Sequence, residues 1–249
     1  MLRLIATIMM AVLLSALSAC NTPVQAAHVV YNNAMNRVAV SQQNRVAYRA
    51  DAVISFNMSM FGEQIHETMS SEIWFVSDTN SVRSLTRTDM GMFGVSDMYV
   101  HIATDGNSFR VLQAEMNGAP MPRDMFSNDM ALAILNQSQF LAVNEDMVKS
   151  SSVTTNNTGT RAEMILDGQR LTDFMETLTG DFLHELGSAV DMVLEDVPMT
   201  IQVDSNGYPA YIDLLMVLTI NALGSSTEMN MAVNYTFREF GDSVSIPTR

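Results

Sequence analysis

The chain has one cysteine (Cys20), one lysine (Lys149) and one tryptophan (Trp74) in 249 residues. A single cysteine excludes an intrachain disulfide, so stability must come from packing. Basic side chains are scarce: 13 Lys and Arg stand against 27 Asp and Glu, a formal net charge of −14. Such an acidic surface repels phosphate backbones and gains nothing from anionic lipid headgroups. Nucleic acid is therefore excluded as a partner, and a basic patch as a membrane anchor. Catalytic signatures are missing too. There is no Gly-x-Ser-x-Gly elbow, no Walker loop and no dinucleotide fingerprint. His184-Glu185-Leu186-Gly187 resembles the start of a zinc-protease helix, but Ser188 stands where the second histidine should be. His28, His66 and His101 have no close partner in sequence. The reading is a non-enzyme with no metal and no cofactor.

What is present begins at the N-terminus. Arg3 precedes an apolar run over 4–14, then Leu17-Ser18-Ala19-Cys20. That order is a secretory signal, and the run is shorter than the ~20 residues of a membrane-spanning helix. Leucine, two small residues and cysteine resemble the lipobox of bacterial lipoproteins. The resemblance implies cleavage before Cys20 and acylation (palmitate-type chains) of Cys20. It places the mature protein outside the cytoplasm, anchored to the cell membrane by its N-terminal lipid. The competing reading is ordinary secretory cleavage near Val24-Gln25-Ala26, which would remove Cys20. The expected organisation is a signal peptide over 1–19, a tether over 20–27 and one domain over 28–249. Removing Arg3 with the signal makes the mature chain one unit more negative.

The unusual abundance is methionine, with 22 residues, all but Met1, Met9 and Met10 in the mature chain. Methionine is flexible and polarizable, which suits an apolar surface that adapts to varied partners. It also serves as plain core filler. The pairs Met58 and Met60, Met90 and Met92, and Met229 and Met231 would each share one strand face, and soft thioethers select Cu(I). Their place within strong apolar alternation explains them by burial instead.

Helical spacing predicts helices over about 28–40, 129–141 and 169–195, the last nicked by Gly180. Period-two alternation predicts strands over 52–60, 65–76, 81–90, 98–102, 109–114, 147–154 and 160–166. Three more follow in the C-terminal third, with Asp105-Gly106, Asn156 to Gly159 and Asp204 to Gly207 as turns. Trp74 is expected at a sheet edge or a cavity mouth, where its N–H finds a partner. Strands with one oily side suit an antiparallel sheet with one covered face, and a long one tends to curl. The fold class is α+β, mostly β: a curled antiparallel half-barrel with helices covering its concave face.

The lipobox, the 31–38 helix, the strand 52–60, the middle helices Leu171–Leu194 and the final strands ending Ser245-Ile246-Pro247 resemble the lipoprotein-localisation carrier superfamily. Its members include the LolA and LolB type carriers and the mycobacterial LppX and LprG lipoproteins. The methionine content looks closest to that of their relatives among Gram-positive lipoproteins. The resemblance implies an unclosed barrel holding acyl chains. The expected wall comprises Ile54, Phe56, Met58, Met60, Met98, Val100, Ile102, Ile212, Leu214, Met216, Met229, Met231 and Val233, with Leu171–Leu194 as a lid. The expected ligand is a lipid or other hydrophobic small molecule. A sensing or protein-interaction module of the same fold with a filled core is the rival, because wall and core residues are both apolar.

Overall fold

The computed structural model describes residues 26–39, 46–60, 63–78, 80–91, 94–105, 108–121, 142–173, 190–222 and 225–247. Cys20, the signal, the 129–141 helix, His184 and Met92 lie outside them. The helix α1 (Ala27–Asn36) is followed by β1 (Val46–Met60), β2 (Glu63–Ser77), β3 (Ser81–Asp89), β4 (Val95–Asp105), β5 (Ser108–Met116) and a two-residue β6 (Ala119–Pro120). Then come β7 (Val148–Asn156), β8 (Gly159–Leu166), β9 (Val190–Leu194), β10 (Val197–Asp204), β11 (Pro209–Ala222) and β12 (Ser225–Phe240). All join one antiparallel sheet in the order β6-β5-β4-β3-β2-β1-β12-β11-β10-β8-β7, with β9 also on β11. The outermost strands, β6 and β7, do not pair, so the sheet is open. A sheet of this width coils as each strand twists against the next. The result is a curled, unclosed half-barrel.

The chain reverses where its turn residues dictate. Asp204 Oδ1 accepts from the backbone N–H of Asn206 and Tyr208. Gly207 completes that turn at φ 84°, in the left-handed region that costs glycine least. Asn156 Oδ1 similarly accepts from the N–H and hydroxyl of Thr158. Asp78 takes the N–H groups of Asn80 and Ser81, and these bonds hold its carboxyl below the usual carboxylate range.

One face of the sheet, the inner face, carries the core. Its buried residues include Val46, Tyr48 and Ala50 on β1, Val100 and Ile102 on β4, Ala162 and Met164 on β8, and Val197 to Val203 at alternate positions of β10. α1 lies on this face against β7, β8 and β10, and buries Val30, Tyr31, Ala34 and Met35. Asn32 fastens the helix to Val143 through two hydrogen bonds of 2.8 and 3.0 Å. The outer face is mostly polar and laced with ion pairs, among them Arg49–Glu72, Arg87–Asp97 and Arg238–Asp51.

The structure corrects two expectations. Residues 190–194 form strand β9 instead of the end of a helix, although 168–173 are helical as expected. Val190, Val193 and Leu194 fit a helical period, but Val190, Met192 and Leu194 fit a period of two equally well. The tie is broken by β11, whose residues Leu218–Ala222 extend past β10 and take β9 as their neighbour. Trp74 is neither at an edge nor at a mouth. It sits on the interior strand β2, on the outer face, where Trp74, Leu85 and Tyr99 are buried with Ile246 against them. The C-terminal segment thus seals a small outer cluster, and Arg49 lies 5.6 Å over the indole.

Candidate ligand-binding face

The inner face divides into two parts along the strands. Toward one end β1, β12, β11 and β10 place Ala52, Tyr235, Ile212 and Ile201 in one transverse row. Ala52 is 2 % exposed, Ile212 1 % and Ile201 0 %. This row and those below it form the packed floor. Two residues further along, the row is Ile54, Val233 and Leu214, then Phe56, Met231 and Met216, then Met58, Met229 and Leu218. Every one of these nine is only half-buried. On β2 the same face continues with Met69 opposite Ile54, Glu67 opposite Phe56 and Ile65 opposite Met58.

The expected wall is therefore brought together in part. Ile54, Phe56, Met58, Leu214, Met216, Met229, Met231 and Val233 form one continuous apolar patch across β1, β12 and β11. Met60 is the last residue of β1, paired with Glu63 of β2. Met98 is half-buried on the same face but on β4, three strands from β1. Val100, Ile102 and Ile212 belong to the packed floor, at 2 %, 1 % and 1 % exposure. Of the expected lid, Leu171 and Leu194 are buried in the floor cluster, and 174–189 lie outside the described residues.

Residue type distinguishes the two parts. The floor strands supply β-branched and small residues: Val46, Ala50, Ala52, Val197, Ile201, Val203 and Ile212. The half-buried patch supplies Met58, Met69, Met216, Met229 and Met231. Branched side chains are stiff at χ1 and pack in one arrangement. Methionine has three rotatable bonds and conforms to irregular surfaces. Met35, Met147, Met164 and Met199 are the buried exceptions, near α1 or the strands beneath it.

β9 and β10 run along β11 as one interrupted strand, whose break lies beside Val217, within the half-buried rows. β10 flanks β11 as far as Leu214, and β9 takes Leu218–Ala222. Glu195, between them, still donates to the Val217 carbonyl at 2.9 Å. Gly168, the first residue of the helical turn, rests on this joint. A Cβ there would lie 2.1 Å from the Leu194 carbonyl oxygen and 2.4 Å from that of Glu195. Lys149 closes the joint by reaching Asp196 at 2.7 Å and Asp167 at 3.4 Å. The bond from Lys149 holds Asp196 below the usual carboxylate range, and the Arg170 backbone N–H does the same for Asp167.

Polar chemistry on the inner face is confined to a few groups. Tyr31 and Tyr48 are buried, and burial pushes both phenols up, as it does Tyr235. All three therefore stay neutral. Among the described residues no three His, Cys, Asp or Glu side chains converge. His66 bonds Asn57 on the outer face. Burial pushes His101 down. Two grooves, of about 540 and 420 Å³, mix serine and acidic side chains with apolar ones, Ile165, Pro198 and Leu215 in the first and Val53 and Val95 in the second. No described helix is long and apolar enough to cross a membrane.

No family model and no curated protein matches this chain. Solved structures align over most of its length with low superposition. The YwiB protein of Bacillus subtilis aligns at 8 % identity over 81 % of this chain and 96 % of its own, with a TM-score of 0.25. A putative outer membrane lipoprotein-sorting protein domain from Vibrio parahaemolyticus aligns at 6 % identity over 86 % and 91 %, with a TM-score of 0.21. A protein of a family of unknown function from Desulfovibrio piger aligns at 11 % identity over 90 % and 95 %, with a TM-score of 0.23.

Proposed function

We propose that this chain is a non-enzymatic lipoprotein of the bacterial cell envelope that carries a lipid or other hydrophobic ligand on the methionine-rich half of its inner face. The observation that carries this reading is the contrast on one continuous sheet face. A floor rich in branched and small residues is packed, while the adjoining patch, with Met58, Met216, Met229 and Met231 beside Ile54 and Val233, is apolar yet half-buried. An acidic protein gains little by leaving so large an apolar surface short of partners unless something covers it.

The mechanism is passive. Each methylene moved from water onto the patch contributes ~0.8 kcal/mol. A sixteen-carbon chain would gain at most roughly 10 kcal/mol, with association and ordering costs set against it. The acyl chains on Cys20 would hold the carrier at the membrane from which it draws its ligand. A fluorescent fatty acid should bind the protein at micromolar level or better. Cys20→Ala should leave that affinity intact but release the protein from membranes. Absence of any uptake would favour the sensing or protein-interaction module with a filled core, and a Cys20→Ala protein still held at the membrane would refute the anchor.

A further inference from the structure

The sequence alone accounts for the paired methionines by burial, but on the sheet four of them are only half-buried and lie together. Met58 of β1 stands opposite Met229 of β12. Met231, the next residue on that face of β12, stands opposite Met216 of β11. Residues directly opposite hold their Cβ atoms about 5 Å apart, and diagonal neighbours about 7–8 Å. Met229 and Met231 therefore belong to two overlapping triads, one completed by Met58 and the other by Met216. In each triad the third residue is opposite one of the pair and diagonal to the other. A methionine sulfur sits beyond Cβ on a flexible stem, so three sulfurs at these spacings can turn toward one point. Two other pairs are opposed in register, Met98 with Met116 and Met164 with Met199. Neither pair has a further methionine next along the same face of its strands. Met164 and Met199 are also sealed in the floor, at 2 % and 4 % exposure.

Leucine would serve a core or a lipid cradle as well as methionine does. A cluster of accessible thioethers offers one thing more, a set of soft, neutral donors that suit Cu(I). The His, Cys and carboxylate donors that zinc or calcium takes do not converge among the described residues. The charge setting favours a cation. The chain has a formal net charge of −14, and the half-buried Glu67 stands opposite Phe56 in the row of Met231 and Met216. Glu67 is two strands from Met231, about 10 Å at the ordinary strand spacing. That is too far for a ligand and near enough to offset one positive charge. We propose that Met229 and Met231, with Met58 or Met216 as the third ligand, bind one Cu(I) ion through their sulfurs. The site goes beyond the carrier reading and does not depend on it.

The test titrates Cu(I), kept reduced by ascorbate, into the full chain against a chromogenic Cu(I) chelator. The parent protein carries Cys20→Ala, so that no thiol competes. One equivalent should be withheld from the chelator, X-ray absorption should show a first shell of sulfur alone, and Zn(II) should not displace the ion. Met229→Leu and Met231→Leu each break both triads, and each should lose that equivalent. Met58→Leu and Met216→Leu together leave no triad and should lose it as well. Met98→Leu with Met116→Leu, on β4 and β5, should keep it. Leucine conserves volume and apolarity, so circular dichroism should show every variant folded. Should Met229→Leu or Met231→Leu not fold, the Met58 and Met216 double variant, with both central residues in place, decides. No withheld equivalent in the parent, a first shell of nitrogen or oxygen, or displacement by Zn(II) would overturn the proposal. So would binding that survives loss of the triads, or binding lost with Met98 and Met116. Fatty-acid uptake is measured separately on the parent. Uptake without copper binding overturns this proposal and leaves the carrier reading standing, and copper binding without uptake supports the site and removes the carrier.

Discussion

Along the inner face of β1, Val46, Tyr48, Ala50 and Ala52 are buried, while Ile54, Phe56 and Met58 on the same strand are half-exposed. The neighbouring strands repeat the division: Ile212 gives way to Met216 and Leu218, and Phe237 to Met231 and Met229. Both halves are apolar, share one sheet and share one alternation. They differ in stiffness. The packed half is richer in branched and small side chains that settle into a single arrangement, and the open half sets Met58, Met216, Met229 and Met231, which can rearrange, beside the branched Ile54 and Val233. Apolarity marks a face as inward, and flexibility marks the part of it kept adaptable.

The sharpest way to break this comparison is to place the same charge in both halves. Ile201→Glu should unfold the protein, because a carboxylate at a site with 0 % exposure costs several kcal/mol to desolvate. Met231→Glu should leave the fold intact and abolish uptake of a fluorescent fatty acid, since its site is half-buried. Circular dichroism and the binding assay together check the pair. Unfolding in both variants would make the patch ordinary core.

A smaller effect is expected at the joint between β9 and β10. Gly168→Ala puts a Cβ against the backbone oxygens of Leu194 and Glu195, and neither atom can swing aside as a side chain would. Overpacking of this kind costs about 1–3 kcal/mol. Denaturant titration should show that loss, and an unchanged midpoint would mean that the helical turn does not rest on the β9–β10 break.

The smallest effect concerns the Lys149 clasp at the same joint. Asp196 has its carboxyl depressed chiefly by Lys149. A depressed carboxylate contributes stability above its unfolded value, near 4, and that stability is lost as pH falls through the folded value. Lys149→Met should therefore melt slightly below the wild type at pH 6, with the gap closing toward pH 3. Asp167 stays depressed in the variant through the Arg170 backbone N–H, so part of the acid sensitivity remains. Parallel melting curves at both pH values would remove the clasp from the account.

Much of the fold was legible because period two is unambiguous in long strands. Val197 to Val203 and Met229 to Phe237 alternate over enough residues that no helical period competes, and Asp204 to Gly207 carries its turn chemistry openly. Five residues at 190–194 were too few to decide between periods, and only the free edge of β11 decided them. Trp74 was misplaced because its outer-face cover, Ile246, comes from a segment 172 residues away in sequence. Of the proposed wall, the patch on β1, β11 and β12 was legible as a face. Its division from the floor was not, because Val100, Ile102 and Ile212 satisfy the same alternation as Met216. Methionine content carried only part of that information, because Ile54 and Val233 lie on the patch and Met164 and Met199 in the floor.

The central claim is that the methionine half of the inner face holds an apolar molecule. Native mass spectrometry of the purified full chain, followed by organic extraction, tests it most directly. The account predicts a mass excess over the acylated polypeptide that extraction releases as a discrete lipid-like species, and that Met231→Glu eliminates. A wild-type mass equal to that of the acylated polypeptide alone, with no apolar probe taken up afterwards, would contradict it.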